Sequence, residues 1–239
     1  MKKFFYFVRN SLYPLAHILV PCKVMDKEKF AKYEHGQLIV SNHLSWMDIA
    51  YQMFWIPGYK RMLSKKENEG NKFQKWVIRN MGIIFVDRDK PELSSMRECI
   101  GALKNGEVLL VYPEGTRNRV NREIQEMHSG ASLFALKGDA NVVPIVVHHK
   151  GKLFKRNYLG VGDPIDLSDL YGRRVDESVL IDATERFRAG MQKTLDKLDA
   201  WVDNKGWKAD KKAKRAEKRA LKKQYKAAKR KNVKDSRSR

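Results

Sequence analysis

The feature that most constrains this chain is a recurrence of short apolar runs, each followed by a helical pattern. Leu38-Ile39-Val40, Ile83-Ile84-Phe85-Val86, Val108-Leu109-Leu110-Val111 and Val142-Val143-Pro144-Ile145-Val146-Val147 are rich in β-branched residues. Runs that are apolar at every position suit strands covered on both faces. Between and after them, residues 45–56, 73–80, 91–105 and 129–139 read as helices, with Pro57-Gly58, Gly82 and Gly106 at their ends. Weaker strands are expected at 60–64 and 158–161, and a long helix at 179–202. This alternation predicts an α/β fold with a mostly parallel central sheet and flanking helices.

Both ends break the rhythm. Residues 1–34 open with MKKFFYFVRNSLYPLAHILV. Wound as a helix, Phe4, Val8, Leu12, Leu15 and Leu19 share a stripe, with Lys3, Asn10 and His17 on the other side. Arg9 and Asn10 interrupt the apolar run and no small-residue cleavage site follows, which argues against a cleaved leader. An apolar run of about 18 residues, the length that crosses a bilayer, is absent from the sequence. The segment is therefore expected to be an amphipathic membrane-interface helix, kinked at Pro14; packing on its own domain is the alternative.

Residues 205–239 hold seventeen Lys or Arg against three Asp or Glu, whereas the preceding residues hold thirty-two against twenty-five. Trp207, Leu221, Tyr225 and Val233 are too few large side chains to bury a core. This polybasic tail is expected to be disordered or conditionally helical, with Ala209, Ala213, Ala216, Ala220 and Ala227 at helical spacing. A central domain, 35–204, remains. The net charge of +21 calls for anionic partners: phosphorylated small molecules, nucleic acid or a membrane surface. Two cysteines, Cys22 and Cys99, with no CxxC, make a disulfide framework a poor fit and suit a reducing compartment. His148 and His149 are adjacent on an expected strand and so point to opposite faces, and no metal-ligand cluster stands out.

Three strand ends carry the chemistry. In SNHLSWMD, Ser41–Asp48, a histidine and an aspartate sit five residues apart where the first core strand ends. On one continuous helix they would lie about 140° apart and could not face each other. With His43 at the strand end and Asp48 in the first turn of the next helix, the carboxylate can hold one ring nitrogen and leave the other free as a base. The alternative is a capping box, Ser45 to Asp48, with His43 an ordinary loop residue. GIIFVDR ends on Arg88, and VYPEGTRN places Glu114, Gly115, Thr116 and Arg117 after the next strong strand. In a parallel sheet these ends share one edge, where α/β folds bind ligands. Arginine forks suit phosphate, so the edge reads as a base facing a phosphorylated hydroxyl substrate. Backbone amides near Ser45 are candidate donors to an oxyanion.

Taken together, NHLSWMD, GIIFVDR, PEGTRN and VVPI resemble, in order, the four sequence blocks of the glycerophospholipid acyltransferases, in particular the bacterial 1-acylglycerol-3-phosphate acyltransferases. The likeness runs from about Leu38 to Ile165. It implies acyl transfer from acyl-coenzyme A or acyl carrier protein, as co-substrate and with no cofactor, to the 2-hydroxyl of lysophosphatidic acid, giving phosphatidic acid for phospholipid synthesis. His43 is then the general base and Asp48 its orienter. Arg88 and Arg117 hold the phosphate, Glu114, Gly115 and Thr116 shape the glycerol site, and Pro144 helps form the acyl pocket. Relatives often carry a lysine-rich turn after the third block; here the chain reads Met127-His128-Ser129-Gly130. The implied location is the cytoplasmic face of the cell membrane, peripheral or monotopic, bound to anionic lipid. Acylation of another lysophospholipid or of glycerol 3-phosphate is the nearest alternative. A tail-led nucleic-acid or ribosome-binding protein is the distant one; no specific nucleic acid is expected.

Overall fold

The computed structural model describes residues 1–30, 36–87 and 93–237. Arg88 therefore lies outside the described residues. The chain divides into two units, 1–199 and 200–239.

The first unit is built on a seven-stranded sheet. Its strands are β1 (Cys22–Met25), β2 (Gln37–Val40), β3 (Arg61–Lys65), β4 (Ile83–Val86), β5 (Val108–Val111), β6 (Asn141–Val147) and β7 (Asn157–Val161), in the order β1-β7-β6-β2-β5-β3-β4. Among the described residues, five of the six strand pairings are parallel and the β6–β7 pairing is antiparallel. The most apolar strands are central. β2 is buried at every position and is gripped by β5 on one side and β6 on the other, with Leu38 opposite Leu109 and Val142. The C-terminal ends of β2, β5 and β6 therefore emerge side by side.

The helices are α1 (Lys2–Leu19), α2 (Asp48–Trp55), α3 (Lys72–Asn80), α4 (Leu93–Lys104), α5 (Gly130–Gly138) and α6 (Glu177–Asp203). α3 starts on a full capping box, Asn71 and Gln74 each bonding the other's backbone amide. Gly82, at φ 95°, lets the chain turn from α3 into β4; a Cβ there would sit 2.6 Å from the Tyr59 hydroxyl.

The sheet crosses the boundary expected between residues 34 and 35. β1 belongs to the segment assigned to the N-terminus and pairs in parallel with β7. Its sequence, Cys-Lys-Val-Met, is too short and too mixed to announce a strand; as an edge strand it exposes Lys23. The α1 helix runs through Pro14 without a break in its assigned span. Its buried residues are Phe5 and Ala16, between the stripe positions read from sequence, while Phe7, Leu15 and Ile18 are exposed. α3 likewise exposes Phe73 and Trp76, and the Trp76 ring meets Phe4 of α1 edge-on at 5.6 Å. Among the described residues, no helix is long and apolar enough to cross a membrane.

In the second unit the polybasic tail forms one helix, α7 (Gly206–Arg237). Near its start Trp201 donates to Asp210 at 3.2 Å and packs edge-on against Trp207.

Candidate active site

The site begins where β2 ends. Asn42 is fully buried, and its side chain continues the ladder that the backbone leaves off: its Nδ2 donates to the Val147 carbonyl at 3.0 Å and its Oδ1 accepts from the Val147 amide at 2.7 Å. Gln52 of α2 donates to the Ser41 hydroxyl, and the Asn118 amide donates to the His43 carbonyl at 2.7 Å. The segment Ser41–His43 is thus tied to β6, α2 and the loop after β5.

The corner between β2 and α2 then folds Asp48 back on His43. Asp48 is fully buried, and its carboxylate collects four donors. His43 Nδ1 donates to Oδ2 at 3.0 Å, the Leu44 and Ser45 amides to the same oxygen at 2.7 Å each, and the Ser45 hydroxyl to Oδ1 at 3.0 Å. A buried carboxylate tolerates desolvation only with such partners. The contact also fixes the tautomer, because a bonded Nδ1–H leaves Nε2 with its lone pair. Ser45 does not cap α2, whose N-cap is Met47. The capping-box alternative gives way to an Asp-centred turn because three of the four donors come from residues 44 and 45. Of the backbone amides near Ser45 expected as oxyanion donors, those of Leu44 and Ser45 are committed to Asp48.

Tyr112, at the end of β5, was not singled out in the sequence. Its ring stacks on His43 at 4.2 Å between centroids and 18° between planes. Burial, with the charge of Asp48 adding to it, pushes its hydroxyl well above the ordinary tyrosine range. Only the fold could reveal this role, since an aromatic at a strand end carries no signal by itself.

Three residues on, the third block turns through Gly115, whose φ of 69° and hydrogen bond from its amide to the Tyr112 carbonyl make a tight corner. Glu114 is buried to 3% exposure, with neither carboxyl oxygen hydrogen-bonded at full geometry among the described residues. Burial raises its pKa to about 7; the backbone amide of His43 opposes this and Asp48 adds to it. Thr116 and Arg117 are exposed. The structure brings His43, Asp48 and Glu114 together, and sets Gly115, Thr116 and Arg117 on the adjoining loop. Of the second block it places β4, three strands from β2.

A cavity of about 390 Å³ opens beside Tyr112 and Gly115, walled by Leu63, Val86, Met96, Val111 and Phe134. His128, from the departure after the third block, also lines it. Pro144 does not. It sits mid-sheet opposite Val40, and its ring lies against Gly162.

An acyltransferase family model matches residues 21–148. A 1-acyl-sn-glycerol-3-phosphate acyltransferase of Streptococcus pneumoniae is 26% identical over 187 residues, covering 75% of this chain and 68% of the relative. The proteins of the same name from Helicobacter pylori and Bacillus subtilis are 30% and 28% identical, covering 54% and 81% of this chain and 56% and 98% of their own lengths. The crystal structure of the 1-acyl-sn-glycerophosphate acyltransferase PlsC of Thermotoga maritima shares the fold, with a TM-score of 0.58, 23% identity, and coverage of 80% of this chain and 78% of that one.

Proposed function

Because this chain belongs to the acyltransferase family, whose model spans more than half of it, we propose that it transfers an acyl group from a thioester to the 2-hydroxyl of 1-acylglycerol 3-phosphate, yielding phosphatidic acid. The observation that carries this reading is the His43–Asp48 pair, 3.0 Å apart, beside an apolar cavity.

His43 Nε2 takes the proton of the acceptor hydroxyl as its oxygen attacks the thioester carbonyl carbon. The tetrahedral intermediate collapses, the C–S bond breaks, and the imidazolium returns the proton to the departing thiolate. Asp48 faces the charge that develops on the ring, and general-base catalysis of this kind contributes roughly 10²–10⁴ in rate. The stacked Tyr112 ring limits rotation of the imidazole. No metal or redox group enters this scheme; the co-substrate is acyl-coenzyme A or acyl carrier protein. Arg117 lies on the exposed loop after Gly115 and makes no ion pair with the described residues, which supports its assignment to the acceptor phosphate. Arg88 is assigned the same role from sequence. The apolar walls of the cavity suit an acyl chain.

An acceptor with a lipid tail must be met at a bilayer. The exposed apolar residues of α1 and α3, and Trp46 at 65% exposure within the catalytic corner, support a peripheral site at the membrane surface.

The test is purified full-length protein with labelled lysophosphatidic acid and each donor type. Labelled phosphatidic acid is expected, with His43→Ala at least about a hundredfold slower and its lysophosphatidic acid binding retained. Equal rates on acceptors lacking the phosphate monoester would sink the phosphate assignment; full activity in His43→Ala would sink the mechanism.

A further inference from the structure

The loop from β6 to β7, residues 148–156, takes no part in the mechanism above. It reads His-His-Lys-Gly-Lys-Leu-Phe-Lys-Arg. Asn157, fully buried at the start of β7, ties its two ends together: Nδ2 donates to the His149 carbonyl at 2.7 Å, and Oδ1 accepts from the Tyr158 amide at 2.8 Å. The Lys155 amide donates to the Lys152 carbonyl at 3.2 Å and closes the turn at the tip. Two neighbours fix where the tip stands. The Phe154 amide donates to the Leu19 carbonyl at 2.9 Å, at the end of α1. Gly151 lies so close to Met47 and Tyr51 that an added Cβ would come within 2.9 Å of each. The loop therefore bridges the end of α1 and the corner that carries His43 and Asp48.

The tip is apolar and stands in water. Phe154 is 64% exposed and Leu153 49%. Phe154 also sits at φ 62°, a left-handed conformation that a bulky side chain enters at a cost and that glycine or asparagine takes readily. A ring held out of the core at such a position is explained neither by packing nor by the turn. Cations flank the pair in the chain. Lys150, Lys152, Lys155 and Arg156 are exposed, and none takes part in an ion pair among the described residues. Both neighbours of the loop add apolar surface, Leu15 and Ile18 of α1 on one side and Trp46 on the other. Apolar side chains between cations match the layering of an anionic bilayer, phosphates at its surface and acyl chains beneath. A nucleic acid would answer the cations and stack on the ring, but it offers nothing to Leu153, Leu15 and Ile18.

We propose that this loop is a lipid-inserting finger: Leu153 and Phe154 enter the acyl region of an anionic bilayer, while Lys150, Lys152, Lys155 and Arg156 stay at the lipid phosphates. The inference rests on the peripheral membrane association proposed above and adds a further point of insertion to it. α3 meets the start of α1 through Trp76 and Phe4, and the finger meets its end. The 18 residues of α1 span about 27 Å, so insertion at both ends lays the helix along the membrane plane. It also sets the corner bearing His43 beside the headgroup layer, where a lipid acceptor has to be met.

The test uses the full chain with Phe154→Cys, labelled at that thiol with the environment-sensitive fluorophore NBD. Cys22 and Cys99 are buried, and label taken up by the unsubstituted chain is the control. Phosphatidylglycerol vesicles are expected to shift the NBD emission to the blue, and lipids with a nitroxide on the acyl chain to quench it. Leu153→Ser/Phe154→Asn should weaken vesicle binding about tenfold at both low and high salt. Its stability to urea should hold, because asparagine suits the left-handed turn. Lys152→Gln/Lys155→Gln should weaken binding at low salt alone. If vesicles sediment the labelled protein without shifting or quenching NBD, the loop stays in water: the proposal falls, and the peripheral reading carried by α1 and α3 stands. Unchanged binding by Leu153→Ser/Phe154→Asn would overturn the proposal by an independent route. If the protein does not sediment with vesicles at all, both readings fail. A blue shift with duplex RNA and none with vesicles would assign the loop to nucleic acid and overturn the proposal as well.

Discussion

His43 and Asp48 illustrate how little a spacing says until a corner is folded around it. Five residues separate many histidine–aspartate pairs by chance. Here Asp48 is the hub of the turn: four donors from three residues converge on it. Glu114 is the opposite kind of carboxyl, equally buried but lacking such partners, which is why its pKa rises to about 7. The sign of the pH effect follows. Below about pH 4.5 both folded and unfolded chains hold this proton. As pH rises towards 7 the unfolded chain releases it first, so stability falls across that window by about 3 kcal/mol. Glu114→Gln should remove that fall. Urea unfolding of both proteins at pH 4.5 and 7.5 measures it, and identical pH dependence would mean that Glu114 is ionised in the folded protein. The hydrophobic blocks made this residue easy to find in the sequence; its burial could not be read there, because Thr116 and Arg117, equally polar and two and three positions away, are exposed.

At the level of elements, the strands most apolar in sequence are the central ones in space, and the expected helices form within a few residues of their anticipated ends. Element type was legible because periodicity reports local packing demand. β1 was not, since an edge strand of four residues has neither length nor alternation to show. Lys60 is a sharper case. The sequence suggested only the start of a strand, yet Lys60 is fully buried and its ammonium donates to the carbonyls of Ile56, Pro57 and Gly58 just past α2. Burial, with Arg9 and Lys27 adding, pushes it down to about 7. Asn42 is a second: its amide replaces a rung of the β2–β6 ladder, so the corner bearing His43 hangs on that side chain. Asn42→Ala leaves a buried amide and carbonyl of Val147 without that partner, at a cost of about 1–3 kcal/mol. It should also lower kcat more than it raises either KM, because the base loses its placement while the binding surfaces persist. Urea unfolding and steady-state kinetics read both effects; unchanged kcat would mean that α2 and Asn118 hold His43 without it.

For the whole molecule, charge and apolar surface are the properties a bilayer meets. The tail carries seventeen cations, most of them within the single helix α7, and α1 and α3 expose aromatic and aliphatic side chains. Cations close to an anionic surface contribute about 1 kcal/mol each, and salt screens them. Removing residues 205–239 should therefore weaken binding to anionic vesicles at low salt and flatten its salt dependence. Phe73→Ala/Trp76→Ala should weaken binding at both low and high salt. Vesicle sedimentation at two salt concentrations separates the two; a truncated chain with unaltered salt dependence would exclude the tail as an anchor. By itself the sequence determined the α/β alternation, the central strands and the order of the four blocks, because buried strands need continuous apolar runs and a parallel sheet needs helices between them. Only the tertiary structure decided that Asp48 serves His43 and not a helix cap, that Tyr112 stacks on the imidazole, and that the loop after β6 meets the end of α1. Those relations join residues far apart in the chain, and it is strand order, which no local pattern encodes, that sets which of them become neighbours.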